Sequence, residues 1–390
     1  MTVVIADSGT LRQAGGVTRP DQAIPDFNQA PFLVIWEVTR ACALACVHCR
    51  ADAIHRRDPR ELTTAEGFRL IEQVRACGGT RPPLFVLTGG DPMRRPDLAD
   101  LVRYATRVGL TVALTPSGTA AATKARLLEL KDAGLSRIAV SLDGPTPETH
   151  DAFRRVRGSY SWTMKIIESA LDLELPLQIN STISRMTLPY LTSMAQRVSE
   201  LPVTLWAAFF LIQTGRGAGL DQISADECER VLNFLYDLSL TSPFGIKTTE
   251  APQYHRVVWQ REQEQTAGGG SIPATGRRRH LRAPRSVNDG NGFVFIDHLG
   301  NICPSGFLPA PRGNVRSADL GNVYRTDDMF RRLRDPDALR GNCGRCRFRA
   351  ICGGSRARAY AATGAVMASD PLCVYAPGAT VEPIVTGVER

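Results

Sequence analysis

Apolar and polar positions follow two periods along this chain. An apolar run at residues 32–38 is followed by a segment, 64–77, in which apolar residues recur every three or four positions, and the succession then repeats. Runs at 84–87, 110–114, 137–142, 177–183 and 203–211 read as strands; segments 97–108, 120–133, 160–173, 188–201 and 225–240 read as helices. Thr63 and Thr64 precede the first helix, and Glu66 stands in its first turn, a capping signature. Six strand–helix units in series predict a parallel sheet covered by helices. Periodicity alone leaves open an open doubly wound sheet or part of a (β/α) barrel.

The pattern also divides the chain. Residues 1–30 read as a loose leader and 31–240 as the strand–helix body. Residues 241–290 read as a linker or active-site segment, because 262–286 carry glycines at 268–270 and arginines at 277–279 with little apolar pattern. From 291 the run GFVFIDHLGNI suggests two short strands around His298-Leu299-Gly300-Asn301, and a cysteine-rich unit follows within 291–390.

Composition adds modest constraints. With 43% hydrophobic and 22% charged residues in 390, a sizeable core is available. The net charge of +8 sits largely in arginine-rich stretches near 277–285 and 331–358. Such patches suit a carboxylate-rich small molecule, an anionic surface or plain solvation. No helical face interleaves cations with aromatics as a nucleic-acid platform would. No stretch approaches the roughly 20 apolar residues of a membrane span, and no signal peptide is evident, so we expect a cytoplasmic protein with neither nucleic-acid nor membrane partners.

Ten cysteines form two clusters, with Cys77 and Cys228 standing alone in helical segments as expected core thiols. In a cytosolic chain, clustered cysteines point to metal before disulfides. Cys42, Cys46 and Cys49 lie on one loop just after the first strand, the position where parallel α/β folds place their sites. Three thiolates can hold three irons of a cubane and leave the fourth open to a ligand, whereas ferredoxin-type sites use four. Zinc is the alternative, with His48 as fourth ligand in a cramped position between Cys46 and Cys49.

The C-x3-C-x2-C loop resembles the signature of the radical S-adenosylmethionine (SAM) superfamily. That resemblance implies a partial (β/α)6 TIM-like barrel with a [4Fe–4S] cluster and SAM at its mouth. His48 occupies the position of an aromatic residue near the adenine. Leu87-Thr88-Gly89-Gly90-Asp91-Pro92 resembles the Gly-Gly-Glu motif that binds the methionine amino group, with Asp91 in place of Glu. Ser141 and Asp143 stand where ribose-binding residues occur, and Asn180 and Thr182 share one face of the fifth strand. Ser117 is a further candidate SAM contact. Each of these polar residues could instead be a satisfied core group.

Cys343, Cys346, Cys352 and Cys373 resemble the SPASM extension of the same superfamily, which carries auxiliary clusters. The full pattern holds two clusters on seven cysteines. Here Arg356 and Ser305 replace two of them, leaving one complete auxiliary [4Fe–4S] site, and Cys303 reads as a non-ligand. Arg345, Arg347, Arg349, Arg356 and Arg358 suit an anionic cluster or substrate carboxylates.

WEVTRAC, HCRADA, PSGFLP and CGGSRARAYA look like the branch acting on tetrapyrroles, which includes the heme d1 biosynthesis enzymes and the iron-coproporphyrin decarboxylase. By that likeness His255, Arg256 and Arg356 are substrate candidates. The implied enzyme cleaves SAM reductively to a 5′-deoxyadenosyl radical, takes hydrogen from an organic substrate, and needs a reducing partner such as ferredoxin or flavodoxin. The alternatives are a peptide-modifying maturase and a non-enzymatic iron–sulfur or zinc regulator.

Overall fold

A computed structural model of the protein describes residues 26–79, 81–267 and 287–378. Most of the expected leader and the arginines at 277–285 lie outside the described residues.

Seven parallel strands follow one another in the sheet: β1 (Leu33–Glu37), β2 (Leu84–Thr88), β3 (Thr111–Leu114), β4 (Leu135–Ser141), β5 (Leu177–Ile183), β6 (Leu205–Phe210) and β7 (Gly245–Thr249). The seventh falls in the segment expected to be a linker, and so does the helix Gln253–Ala267 behind it. The sequence pattern missed β7 because all of its residues are buried and its outward face has only Ile246 as a large apolar side chain. Beyond β1, a C-terminal hairpin extends the same sheet. β8 (Phe293–Ile296) runs parallel beside β1, and β9 (Asn301–Cys303) and β10 (Gly313–Asn314) follow antiparallel.

The helices form where their signals stood. Helix α1 (Thr64–Cys77) begins at Thr63, whose hydroxyl accepts from the Glu66 amide while the Glu66 carboxylate accepts from the Thr63 amide. Helix α2 spans Leu98–Arg107, and α3 (Lys124–Asp132) starts four residues later than the pattern suggested, because Thr123 caps it. Helix α4 (Pro147–Arg154), between β4 and α5 (Ser159–Asp172), was not foreseen from periodicity. Its signature was present in Thr146 before Pro147, a cap followed by a proline at the first helical position.

Strand alternation decides which side chains face the helices and which face inward. Val34, Trp36, Phe85, Leu87, Val112, Val140, Ile179 and Trp206 pack outward into the main apolar core with the helices. The opposite faces of β1 to β8 line a common cavity, in which Ile35 of β1 and Lys247 of β7 both take part. Strands so far apart in the sheet can share a cavity only if the sheet curls, so the fold is a partial barrel.

Trp206 is fully buried and donates its indole N–H to Ser181 Oγ at 3.0 Å. Trp206→Ala is expected to cost about 3–5 kcal/mol, read as a lower denaturation midpoint in urea with an unchanged slope.

Candidate functional site

The site begins where β1 and β2 end. The amide of Gly90 donates to Thr39 O and that of Asp91 to Ala41 O, both at 2.7 Å, so the turn after β2 is bound to the chain entering the cysteine loop. A Cβ on Gly90 would come within 2.4 Å of Arg40 O and 2.6 Å of Ala41 O. Glycine is therefore required here for backbone to approach backbone. Gly89 is similarly tight against Thr39 O at 2.5 Å. Both glycines line the cavity.

Cys42, Cys46 and Cys49 line the upper end of a cavity of about 520 Å³. Their sulfurs receive donors from the chain. Leu44 N lies 3.3 Å from Cys42 Sγ, Ala53 N 3.4 Å from Cys49 Sγ, and Arg154 Nη1 3.6 Å from Cys46 Sγ. Burial pushes the Cys42 and Cys46 thiols up, opposed by Ser117 for Cys42 and by Arg154 for Cys46. Such thiols ionise once a cation sits among them. Among the described residues, no three His, Cys, Asp or Glu side chains close on a single point as they would around one ion. The three-thiol loop with its N–H···S donors fits an iron–sulfur cluster in chemistry and position.

His48 stacks on Phe153 with ring centroids 4.3 Å apart and 16° between planes. Burial and then Arg154 push its pKa down to about 3, so it is a neutral ring on the cavity wall. Ser117, Ser141, Asn180 and Thr182 also line the cavity. Ser117 Oγ donates to Gly90 O at 2.6 Å and stands 3.5 Å from Cys42 Sγ. Register aligns Ser141 with Asn180 on neighbouring strands, and Asn180 Oδ1 accepts from Gln178 at 2.6 Å.

Two acidic residues take positions different from those the motifs suggested. Asp91 is fully buried and absent from the cavity wall. Its carboxylate accepts from the Met93 amide at 3.1 Å, the Ser117 amide at 3.4 Å and the Thr119 hydroxyl at 2.7 Å. It thus ties the turn after β2 to the turn after β3, a task within reach of aspartate's short arm. Asp143 is likewise inside the wall, where it accepts from Arg154 and from the Thr182 amide at 2.6 Å. Burial would raise its pKa, but Arg154, His48, His150 and the Thr182 amide together outweigh it and hold the carboxyl low. Arg154 therefore bridges Asp143 and Cys46, a role invisible before α4 was placed.

The four C-terminal cysteines converge. Cys343, Cys346, Cys352 and Cys373 line one small pocket together with Arg256, Phe348, Asp370 and Tyr375. Phe348 N, Gly354 N and Asp370 N approach Cys346, Cys352 and Cys343 Sγ at 3.3, 3.4 and 3.4 Å. Cys303 is elsewhere, buried on β9 among Phe27, Leu33, Phe293 and Phe295. Burial pushes its thiol up to about 12.

The three substrate candidates are not on the main cavity wall. His255 is buried on the helix Gln253–Ala267. Arg256 makes a bidentate pair with Glu229 at 2.9 and 2.5 Å and faces the four-cysteine pocket. Arg356 donates to Gly354 O, Val366 O and Ala368 O and lies 3.6 Å from Cys343 Sγ. Arg256 and Arg356 brace the second cysteine site. The cavity instead carries Arg50, Arg137, Arg154, Arg216 and Lys247, of which only Arg50 lies in a quoted motif, HCRADA, and none was a site candidate. Arg137 was discoverable, because it alternates with Ala139 and Ser141 and so places a charge on the inward face of a strand.

These features define a SAM-dependent radical enzyme. The chain belongs to the radical SAM superfamily, whose family model matches residues 36–193. It is 39% identical over 372 residues to the AdoMet-dependent heme synthase of Oleidesulfovibrio alaskensis, covering 95% of this chain and 93% of that protein. The AdoMet-dependent heme synthase of Methanosarcina barkeri is 37% identical, over 90% of this chain and 98% of the relative. In fold, the chain resembles Streptococcus suis SuiB bound to S-adenosylmethionine, with a TM-score of 0.65 at 14% identity over 89% of this chain and 78% of that one. Membership brings SAM and a [4Fe–4S] cluster as cofactors. Among the described residues, no helix is long and apolar enough to cross a membrane.

Arg154→Met leaves Asp143 as an uncompensated buried charge, and a loss of about 3–5 kcal/mol is expected. Adding Asp143→Asn should recover part of it, measured as a double-mutant cycle in denaturant.

Proposed function

We propose that this chain is a SAM-dependent enzyme acting on a tetrapyrrole side chain, with iron-coproporphyrin as the first substrate to test. The supporting observation is the cavity, which runs from Cys42, Cys46 and Cys49 down the barrel interior along an apolar wall that includes Ile35, Val86, Ala113 and Phe295. Such an interior takes a flat apolar macrocycle and brings its edge to the cysteine end. The names of the two heme synthase relatives point to the same substrate class.

In this reading Cys42, Cys46 and Cys49 hold the cluster, which when bound supplies the electron that splits SAM into methionine and a 5′-deoxyadenosyl radical. His48 and Phe153 offer a stacked pair of rings beside the loop. Ser141, Asn180 and Thr182 offer polar groups on neighbouring strands to orient SAM. Arg154 stabilises negative charge on Cys46. Cys343, Cys346, Cys352 and Cys373 hold an auxiliary cluster, with Arg256 and Arg356 offsetting its charge. A reducing protein such as ferredoxin or flavodoxin supplies the electron.

Anaerobic incubation of the reconstituted protein with SAM, a reductant and iron-coproporphyrin is expected to lower the porphyrin mass as 5′-deoxyadenosine accumulates. An unchanged porphyrin beside active SAM cleavage would overturn the substrate reading and favour the alternative, a peptide substrate. Cys42→Ala is expected to abolish 5′-deoxyadenosine formation and to lower the iron content from about eight toward about four per chain.

A further inference from the structure

Two of the five cations on the cavity wall differ from the other three. Arg50 is paired with Glu37 Oε2 at 2.6 Å, Arg154 with Asp143, and Arg216 with Asp52 at 3.3 Å and Cys46 O at 3.0 Å. Arg137 and Lys247 have no acidic partner among the described residues. Neither acid on the cavity wall pairs with them, although Asp289 Oδ1 is itself buried without a hydrogen-bond partner. Glu250 accepts from Ser355 Oγ at 2.5 Å, and Asp289 accepts from the Ala357 amide at 2.9 Å.

Lys247 is only 8% exposed, and Arg137 Nε is buried without a hydrogen-bond partner. Burial, and after it the charge of Arg137, push the Lys247 pKa down to about 8. Both side chains line the one cavity. Two like charges on one cavity wall, Lys247 buried and Arg137 half-buried, cost free energy unless an anion joins them. The Thr249 hydroxyl, on the cavity wall two residues beyond Lys247, is also buried without a hydrogen-bond partner.

Arg137 lies well below the end of the cavity that SAM would take. SAM's end of the cavity is the cysteine loop, at the C-terminal ends of the strands. Arg137 lies four residues before Ser141, about 13 Å down the strand at 3.3 Å per residue, and its register partner Ala113 continues a row with Val86 and Ile35. The anion must therefore be borne by a molecule otherwise apolar enough to lie on that row.

We propose that Arg137 and Lys247 form a carboxylate clamp inside the barrel, which grips a propionate-type side chain of the substrate and so sets which edge of the molecule reaches the cysteine end. The identity of the carboxylate's bearer rests on the tetrapyrrole reading above. Arginine offers a two-pronged donor face to a carboxylate, and lysine adds a point charge.

The test is equilibrium binding of iron-coproporphyrin to the reconstituted protein without SAM or reductant, followed by its absorbance, in the wild type and in Arg137→Ala, Lys247→Ala and the double variant. Each single substitution is expected to raise Kd about tenfold or more. Lys247→Arg should keep most of the affinity. Iron-coproporphyrin tetramethyl ester should bind the wild type as weakly as the free acid binds the double variant. Because the substitutions remove cations that lack an acidic partner among the described residues, the ligand-free melting temperature should hold or rise, which a merely structural role would not give. Wild-type binding matched by the double variant, or an ester that binds as well as the acid, overturns the clamp alone. A wild type that takes up no porphyrin overturns the tetrapyrrole reading and the clamp with it.

Discussion

Two backbone hydrogen bonds, from Gly90 to Thr39 and from Asp91 to Ala41, fasten the end of β2 to the chain that enters the cysteine loop. Most of the site hangs on this contact. It needs glycine at 90, since any side chain would strike two carbonyl oxygens. It places Cys42 beside Ser117, and it turns the Asp91 carboxylate into the wall, where it secures the next turn through Ser117 and Thr119. The loop is thus held by buried main-chain bonds, which position it before any cofactor arrives.

A second set of contacts joins the C-terminal unit to the barrel. The hairpin strand β8 lies parallel to β1 and adds Phe293 and Phe295 to the cavity wall. Behind it, Arg358 and Asp370 are fully buried as an ion pair at 3.2 Å, and Arg358 also donates to Glu250 O. Gln253 donates to the same Asp370, and Ser355 to Glu250. A buried charge network of this kind is costly to break, because each lost partner leaves another charge stranded. It fixes the four-cysteine pocket relative to the barrel mouth and shares Asp370 with that pocket's lining.

The motif residues separate into two groups once placed. Gly89, Gly90, His48, Ser117, Ser141, Asn180 and Thr182 reach the cavity. Asp91 and Asp143 serve the wall behind it, and Arg256 and Arg356 serve the second cysteine site. A motif gives a residue's type and its neighbours along the chain. Whether its side chain faces the cavity or the wall depends on which donors the adjoining turns present. Two of the three donors to Asp91 are 26 and 28 residues away along the chain, and Arg154 is 11 residues from Asp143.

By itself the sequence determined the strand–helix order, the capping of α1 and the two cysteine sets. Those are local matters of period, cap chemistry and spacing. Only the tertiary structure decided that residues 245–249 form a seventh strand, that the hairpin joins the barrel sheet, and that Arg137 and Lys247 line one cavity without an acidic partner among the described residues. The reason is that inward and outward on a strand are defined by the curl of the whole sheet. Pairing of charges is likewise a property of space, and Arg137 and Lys247, far apart in sequence, meet only when β4 and β7 close on one cavity.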